Sequence, residues 1–237
     1  MRIARLATCT LALALVGCNG LGRLDWTTLG RASWQRPTDV VRTLEIRPGD
    51  RVADVGAGEG FFVPYLADAV GREGRVYAVE VDAEQTEGLE ARFRDERDNV
   101  EIVLGRLDDP ELPDGSIDLI LIVNTYHHID ERPDYFRRLQ RDLSPRGRVA
   151  ILEPDGELTG ILSLFQHGGH TSIASEVVQE MDEAGFRQDA SYDFLPVQIF
   201  EVFEPDPSPA QPASTNSGDD HARSSLGAVQ SSEGSVR

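Results

Sequence analysis

The chain contains no lysine: all 23 of its basic residues are arginine, set against 41 aspartates and glutamates. The resulting net charge of -18 argues against a nucleic-acid surface, since neutralising phosphates takes clustered cations. Cysteine occurs only at Cys9 and Cys18, so the body of the chain can hold neither a disulfide nor a cysteine-zinc centre. No internal repeat is visible. The length of 237 residues, 40% of them hydrophobic, suits one domain with extensions at its ends.

The first eighteen residues differ in kind from the rest. Arg2 and Arg5 precede a short apolar run, Leu6 to Gly17, too short to span a bilayer but suited to a signal peptide. Leu15-Val16-Gly17-Cys18 resembles the lipobox of bacterial lipoproteins. That resemblance implies a lipidated Cys18 and a membrane-anchored protein of the cell envelope; the alternative is an apolar tail on a cytoplasmic enzyme. Residues 19–33 are expected to be a tether and 34–204 the folded domain. The stretch 205–237, rich in Pro, Ser, Gly and Ala, has too few large apolar residues to offset chain entropy and reads as disordered.

The centre of the domain is Val52-Ala-Asp-Val-Gly-Ala-Gly-Glu-Gly60, a short β-branched run entering a turn with three glycines. A dinucleotide fingerprint needs its third glycine at the place held here by Phe61, and Gly60 comes one residue early, which argues against NAD. A second strand-like run, Val76 to Asp82, ends in the carboxylates Glu80 and Asp82.

The pattern D-x-G-x-G-x-G followed by an acid-terminated strand resembles class I S-adenosylmethionine-dependent methyltransferases, over residues 35 to 203. The resemblance implies an α/β fold, a Rossmann-like doubly wound sheet of seven strands, mostly parallel with an antiparallel last strand. It implies S-adenosylmethionine as cofactor, bound by Asp54, Gly56, Ala57, Gly58, Gly60 and Asn124, with Glu80 on the ribose hydroxyls. Asp108 would meet the adenine amino group, with Asp109 as second choice. This chain departs from the commoner form there, since Arg106 follows Gly105 directly.

Further along, helices are expected at Thr38 to Leu44, Phe61 to Val70 and Ala83 to Asp98, and a third strand at Val100 to Leu104. Leu119 to Val123 is a continuous apolar run suited to a central parallel strand. Asp130 is expected to cap a helix reaching Leu143. Ser144 to Gly147 reads as a turn before strand Arg148 to Leu152. A helix at Ser172 to Ala184 and strands at Arg187 to Asp193 and Val197 to Phe203 complete the pattern.

His127 and His128 follow the central strand, next to where a methyl group would react. A histidine is the natural general base at neutral pH, so both are candidate catalytic residues for an acceptor that must lose a proton. The segment Asn124-Thr-Tyr-His lacks the Asn/Asp-Pro-Pro-Tyr signature of nucleic-acid amino methylation. His167 and His170, separated by two glycines, lack the spacing of a helical metal pair, and no metal is expected. The sequence therefore points to methyl transfer onto a small-molecule or lipid-like acceptor. The alternative is a lipid-anchored envelope protein with a non-catalytic fold of this kind.

Overall fold

The computed structural model describes residues 26–156 and 174–207. The leader with Cys18, the first part of the expected tether, His167, His170 and nearly all of the expected tail lie outside those residues. Helices α1 (Trp26–Gln35) and α2 (Pro37–Thr43) lead into strand β1 (Arg51–Val55). Then follow α3 (Val63–Val70), β2 (Arg75–Glu80), α4 (Ala83–Phe93), β3 (Val100–Leu104) and β4 (Ile117–Val123). After a single 3-10 turn (Tyr126–His128) come α5 (Arg132–Leu139), β5 (Leu143–Pro154), α6 (Ala174–Glu183), β6 (Phe186–Tyr192) and β7 (Gln198–Pro205).

The seven strands form one sheet in the order β3-β2-β1-β4-β5-β7-β6. Its first five strands pair in parallel, while β7 runs antiparallel to both β5 and β6. Alternation along each strand sends side chains to two separate cores. Val52, Leu119, Leu121 and Phe200 pack with Val40, Leu66 and Leu89 from α2, α3 and α4. On the other face Ala53, Ile120, Ile151 and Phe203 pack with Phe136 and Leu139 of α5 and Met181 of α6. Both faces being covered explains why β4 reads as an unbroken apolar run. The strand order reverses between β1 and β4, and ligands of such sheets bind outside the carboxyl ends of the strands at that switch point.

Several expectations need correction. Trp26–Gln35, assigned to the tether up to residue 33, is helical, and its Ala32 packs against the first core. Ser144 to Gly147 is not a turn ahead of the fifth strand but a bulge inside it. Pairing steps from Ile117↔Leu143 to Leu119↔Arg148, two residues on β4 against five on β5. The residue at the start of α5 is Glu131, in the left-handed region at φ 47 and without a side-chain cap bond, so Asp130 does not cap that helix. Proline in its first turn pre-sets the helical φ instead. Helix α4 ends at Phe93, five residues short of the expected Asp98, once its apolar stripe of Leu89 and Phe93 is exhausted.

Candidate active site

The turn after β1 is built by its own backbone and by one carboxylate. The amides of Gly56 and Ala57 both donate to the Val79 carbonyl at 3.0 Å, which ties the turn to β2. Glu80, at the end of β2, accepts from the Gly58 amide at 2.9 Å through Oε2 and from the Val81 amide at 2.8 Å through Oε1. A carboxylate has about four acceptor positions, so two remain after these bonds. Asp82, the other acid after β2, caps α4 by accepting from the Gln85 amide at 2.9 Å.

The three glycines have different duties. A Cβ on Gly56 would lie 2.3 Å from the Thr125 side chain, and one on Gly60 would lie 2.6 Å from Phe93, so packing forbids both. A Cβ on Gly58 would meet nothing nearer than Gln85 Oε1 at 3.9 Å, yet its φ of 55 favours glycine. Gly58 alone faces open space, where a ligand could approach the backbone.

Beneath the turn sits Asp54, 3% exposed. Burial pushes its carboxyl up to about 7, opposed by the Arg31 guanidinium and reinforced by Glu80. Arg31 comes from α1; it lies 4.4 Å over the Phe61 ring, and its Nε donates to Gln35 Oε1. Partial burial lowers its affinity for a proton, offset by Asp54 and Glu59.

The second half of the site lies at the ends of β4 and β5. His127 Nδ1 is 2.7 Å from Glu153 Oε2, and Glu153 Oε1 accepts from the Tyr126 amide at 2.8 Å. Glu153 is fully buried; burial raises its carboxyl pKa, and His127 and the Tyr126 amide pull it back. With Nδ1 protonated and donating to Glu153, the His127 ring keeps its lone pair on Nε2. His128 is exposed, its ring 4.0 Å from that of His127. The 3-10 turn is anchored from below: the Tyr126 hydroxyl donates to Glu180 on α6, and Arg132 pairs with the same carboxylate at 2.7 Å.

A family model described as a methyltransferase domain matches residues 53–151, which hold the glycine turn, Glu80 and the His127 segment. Over those residues the chain is similar to a methyltransferase domain. A solved S-adenosylmethionine-dependent methyltransferase from Aquifex aeolicus aligns with a TM-score of 0.66 at 25% identity, covering 73% of this chain and 92% of that one. A ubiquinone/menaquinone biosynthesis C-methyltransferase of Stenotrophomonas maltophilia is 30% identical over 127 residues, 51% of this chain and 48% of that protein. An arsenite methyltransferase of Halobacterium salinarum is 29% identical over 147 residues, 59% of this chain and 38% of that protein. The alignments thus span less than half the length of these two curated relatives.

The residues at this site fit S-adenosylmethionine on chemical grounds. Glu80 retains acceptor positions for two hydroxyls beside a glycine with room at its Cα. Val81, Leu104 and Leu107 stand 46%, 52% and 77% exposed at the carboxyl ends of β2 and β3, an apolar surface beside a polar turn that a flat aromatic base could cover.

Asp54, Gly56, Ala57, Gly58, Gly60 and Glu80 come together as one unit at the β1 and β2 ends. Asp108 does not join them by any bond: its side chain is 70% exposed and pairs with Arg106 at 3.5 Å. Asp109 is buried and held by Arg141, while its Oδ1 accepts from the Glu111 amide at 2.9 Å, a structural role within its loop. Asn124, at φ 54, turns its Oδ1 to Gln198 Nε2 at 2.9 Å, toward β7. Arg31, Glu153 and Gln198 were missed in the sequence because each lies outside any local motif. Only an acid straight after an apolar strand, Leu152-Glu153, carried a signal of the kind that marked Glu80.

Proposed function

We propose that the chain transfers the methyl group of S-adenosylmethionine to a small-molecule or lipid-like acceptor whose reacting centre must lose a proton. The observation that carries the first part is the Glu80 carboxylate spanning the Gly58 and Val81 amides, beside the one glycine open to a ligand. Bound there, the cofactor supplies an electrophilic methyl on a sulfonium and needs little activation, so the protein contributes position and electrostatics.

The acceptor side follows from His127. Glu153 fixes the ring through Nδ1, and Nε2 takes the acceptor's proton as the new bond forms. The buried carboxylate then stabilises the imidazolium. A hydroxyl or an activated carbon acid suits this arrangement, whereas an acceptor with no proton on its reacting atom would not need it. The experiment is a transfer assay with methyl-labelled S-adenosylmethionine against a panel of phenols and carbon acids, with thioethers and tertiary amines as acceptors that have no proton to lose. Transfer confined to proton-bearing acceptors and lost in His127→Ala supports the reading; transfer undiminished in that variant contradicts the base.

We also propose that Cys18 anchors the chain to a membrane. The support is the Arg2/Arg5 leader, the apolar run after it and the residues Leu15 to Cys18. The body is strongly acidic, so anionic lipid would repel it and a covalent chain would have to hold it there. Labelled palmitate incorporated into the unmodified chain and absent from Cys18→Ser would support the anchor; equal detergent-free solubility of both would oppose it.

A further inference from the structure

Gln35 Nε2, Asp142 Oδ2 and Gln198 Oε1 are buried and have no hydrogen-bond partner among the described residues. Gln35 ends α1, and the Asp142 carbonyl takes the Ser116 and Ile117 amides at the amino end of β4, opposite the strand ends that carry His127 and Glu153. Gln198 stands at those ends. It opens β7 as the register partner of Pro154, and the next residue, Ile199, is the partner of Glu153. Alternation puts Gln198 on the face that Phe200 and Val202 give to the first core, where an apolar side chain would be buried without polar cost. Gln198 is nonetheless an amide, and only 4% exposed. Its Nε2 donates to Asn124 Oδ1 at 2.9 Å, so the side chain reaches across the end of β5, which lies between β4 and β7. One edge of the amide is thus fixed, and the other is buried with an unused acceptor, a costly arrangement that a donor on a ligand would relieve.

We infer that Gln198 determines which methyl acceptor is taken: its Oε1 accepts from a hydroxyl that the acceptor carries in addition to the group that is methylated. The inference rests on the reading of His127 as the base of a methyl transfer. Asn124 aims the amide, and its own amide is pinned to the Leu152 carbonyl at 2.9 Å. Asn124 and His127 both follow β4, while Gln198 and the Glu153 that holds His127 belong to neighbouring rungs of the ladder between β5 and β7. An amide neither gives nor takes a proton at neutral pH, so Gln198 orients the acceptor and does not activate it. As the C–O bond forms and the methyl's C–S bond breaks, the methylated oxygen passes its proton to His127 Nε2; the second hydroxyl keeps its proton and stays on Gln198. A site built in this way rejects an analogue without the second hydroxyl, because the buried oxygen is then left without a donor.

The test sets each dihydroxybenzene isomer beside the methylphenol of the same shape, which lacks the second hydroxyl. Initial rates with methyl-labelled S-adenosylmethionine are measured for the full chain, Gln198→Met and Gln198→Glu. In the unmodified chain at least one isomer is expected to exceed its methylphenol by about tenfold or more in kcat/KM. Gln198→Met fills the same space without an acceptor, and there transfer to that isomer is expected to fall to the methylphenol's level. Gln198→Glu keeps an oxygen at the place and is expected to keep the preference. Should Gln198→Met fail to fold, Asn124→Gly removes the bond that aims the amide without straining a backbone at φ 54, and is expected to shrink the preference. Equal transfer to both members of every pair, a preference that survives in Gln198→Met, or one lost in Gln198→Glu overturns the inference while methyl transfer stands. Transfer to none of these phenols by the unmodified chain overturns the reading of a hydroxyl acceptor and the inference with it.

Discussion

His127 Nδ1 lies 2.7 Å from Glu153 Oε2, so the 3-10 turn that follows β4 is joined to the end of the neighbouring parallel strand β5. Because Glu153 also takes the Tyr126 amide, the carboxylate fixes both the ring and the backbone that carries it. His127→Ala should lower the transfer rate by roughly 10²–10⁴-fold with cofactor affinity unchanged, the range for a positioned general base. Glu153→Gln should give a smaller loss, since an amide still accepts from Nδ1 but cannot balance an imidazolium. Rates at saturating cofactor, with dissociation constants measured alongside, check this. A parallel loss of cofactor binding would contradict it.

Substitution of the three glycines by alanine should separate folding from binding. Gly56→Ala and Gly60→Ala drive a methyl into Thr125 and Phe93 and should cost on the order of 1–3 kcal/mol of stability, as overpacking does. Gly58→Ala should cost only about 1 kcal/mol, from its left-handed backbone, yet weaken the cofactor markedly. Thermal melts beside calorimetric titrations distinguish the two classes. A Gly58 variant that melts early but binds normally would reverse the assignment.

Asp54 predicts how stability depends on pH. Its folded pKa of about 7 lies above the ordinary 3.8, so the folded chain holds that proton more tightly than the unfolded one. Its contribution is complete below the unfolded value and is lost as pH rises from about 4 to about 7. Arg31 opposes this shift and Glu80 strengthens it. Asp54→Asn should flatten the ligand-free stability profile across that window, removing a decline on the order of 2–4 kcal/mol. Chemical denaturation at a series of pH values reads the slope directly; an identical slope in the variant would show that Asp54 does not carry it.

The exposed apolar surface near Glu80 makes a further prediction. Leu107→Ser should weaken the cofactor by roughly threefold to tenfold, consistent with about 25 cal/mol for each Å² of apolar surface covered. Asp108→Ala should have little effect if its pairing with Arg106 persists in the bound state. Titration of S-adenosylhomocysteine into each variant checks both. A larger loss for Asp108→Ala than for Leu107→Ser would restore Asp108 as the adenine contact.

What the sequence made legible was local. The β1 turn and the acid at the end of β2 lie in short contiguous segments whose residue types follow from backbone demands, and the central strands follow from apolar runs of the right length. Glu153 pairs with His127 from another strand, and Arg31 lies over the Phe61 ring from a helix far earlier in the chain, so neither contact leaves a mark in any window of the chain. Helix α1, read as a tether up to residue 33, carries no acid in its first turn to mark its start. The bulge at Ser144 to Gly147 resembled a turn because the same small and proline residues serve both. The sequence put Asp108 ahead of Asp109, and burial is what separates the exposed acid from the structural one.

The measurement that bears most directly on the whole account is calorimetric titration of S-adenosylmethionine into the full chain and into Gly58→Val. Micromolar binding by the unmodified chain, abolished in a Gly58→Val variant whose far-ultraviolet circular dichroism is unchanged, is the predicted result. Undetectable binding at millimolar cofactor, or equal affinity in both chains, would contradict the assignment of the glycine turn as the cofactor site.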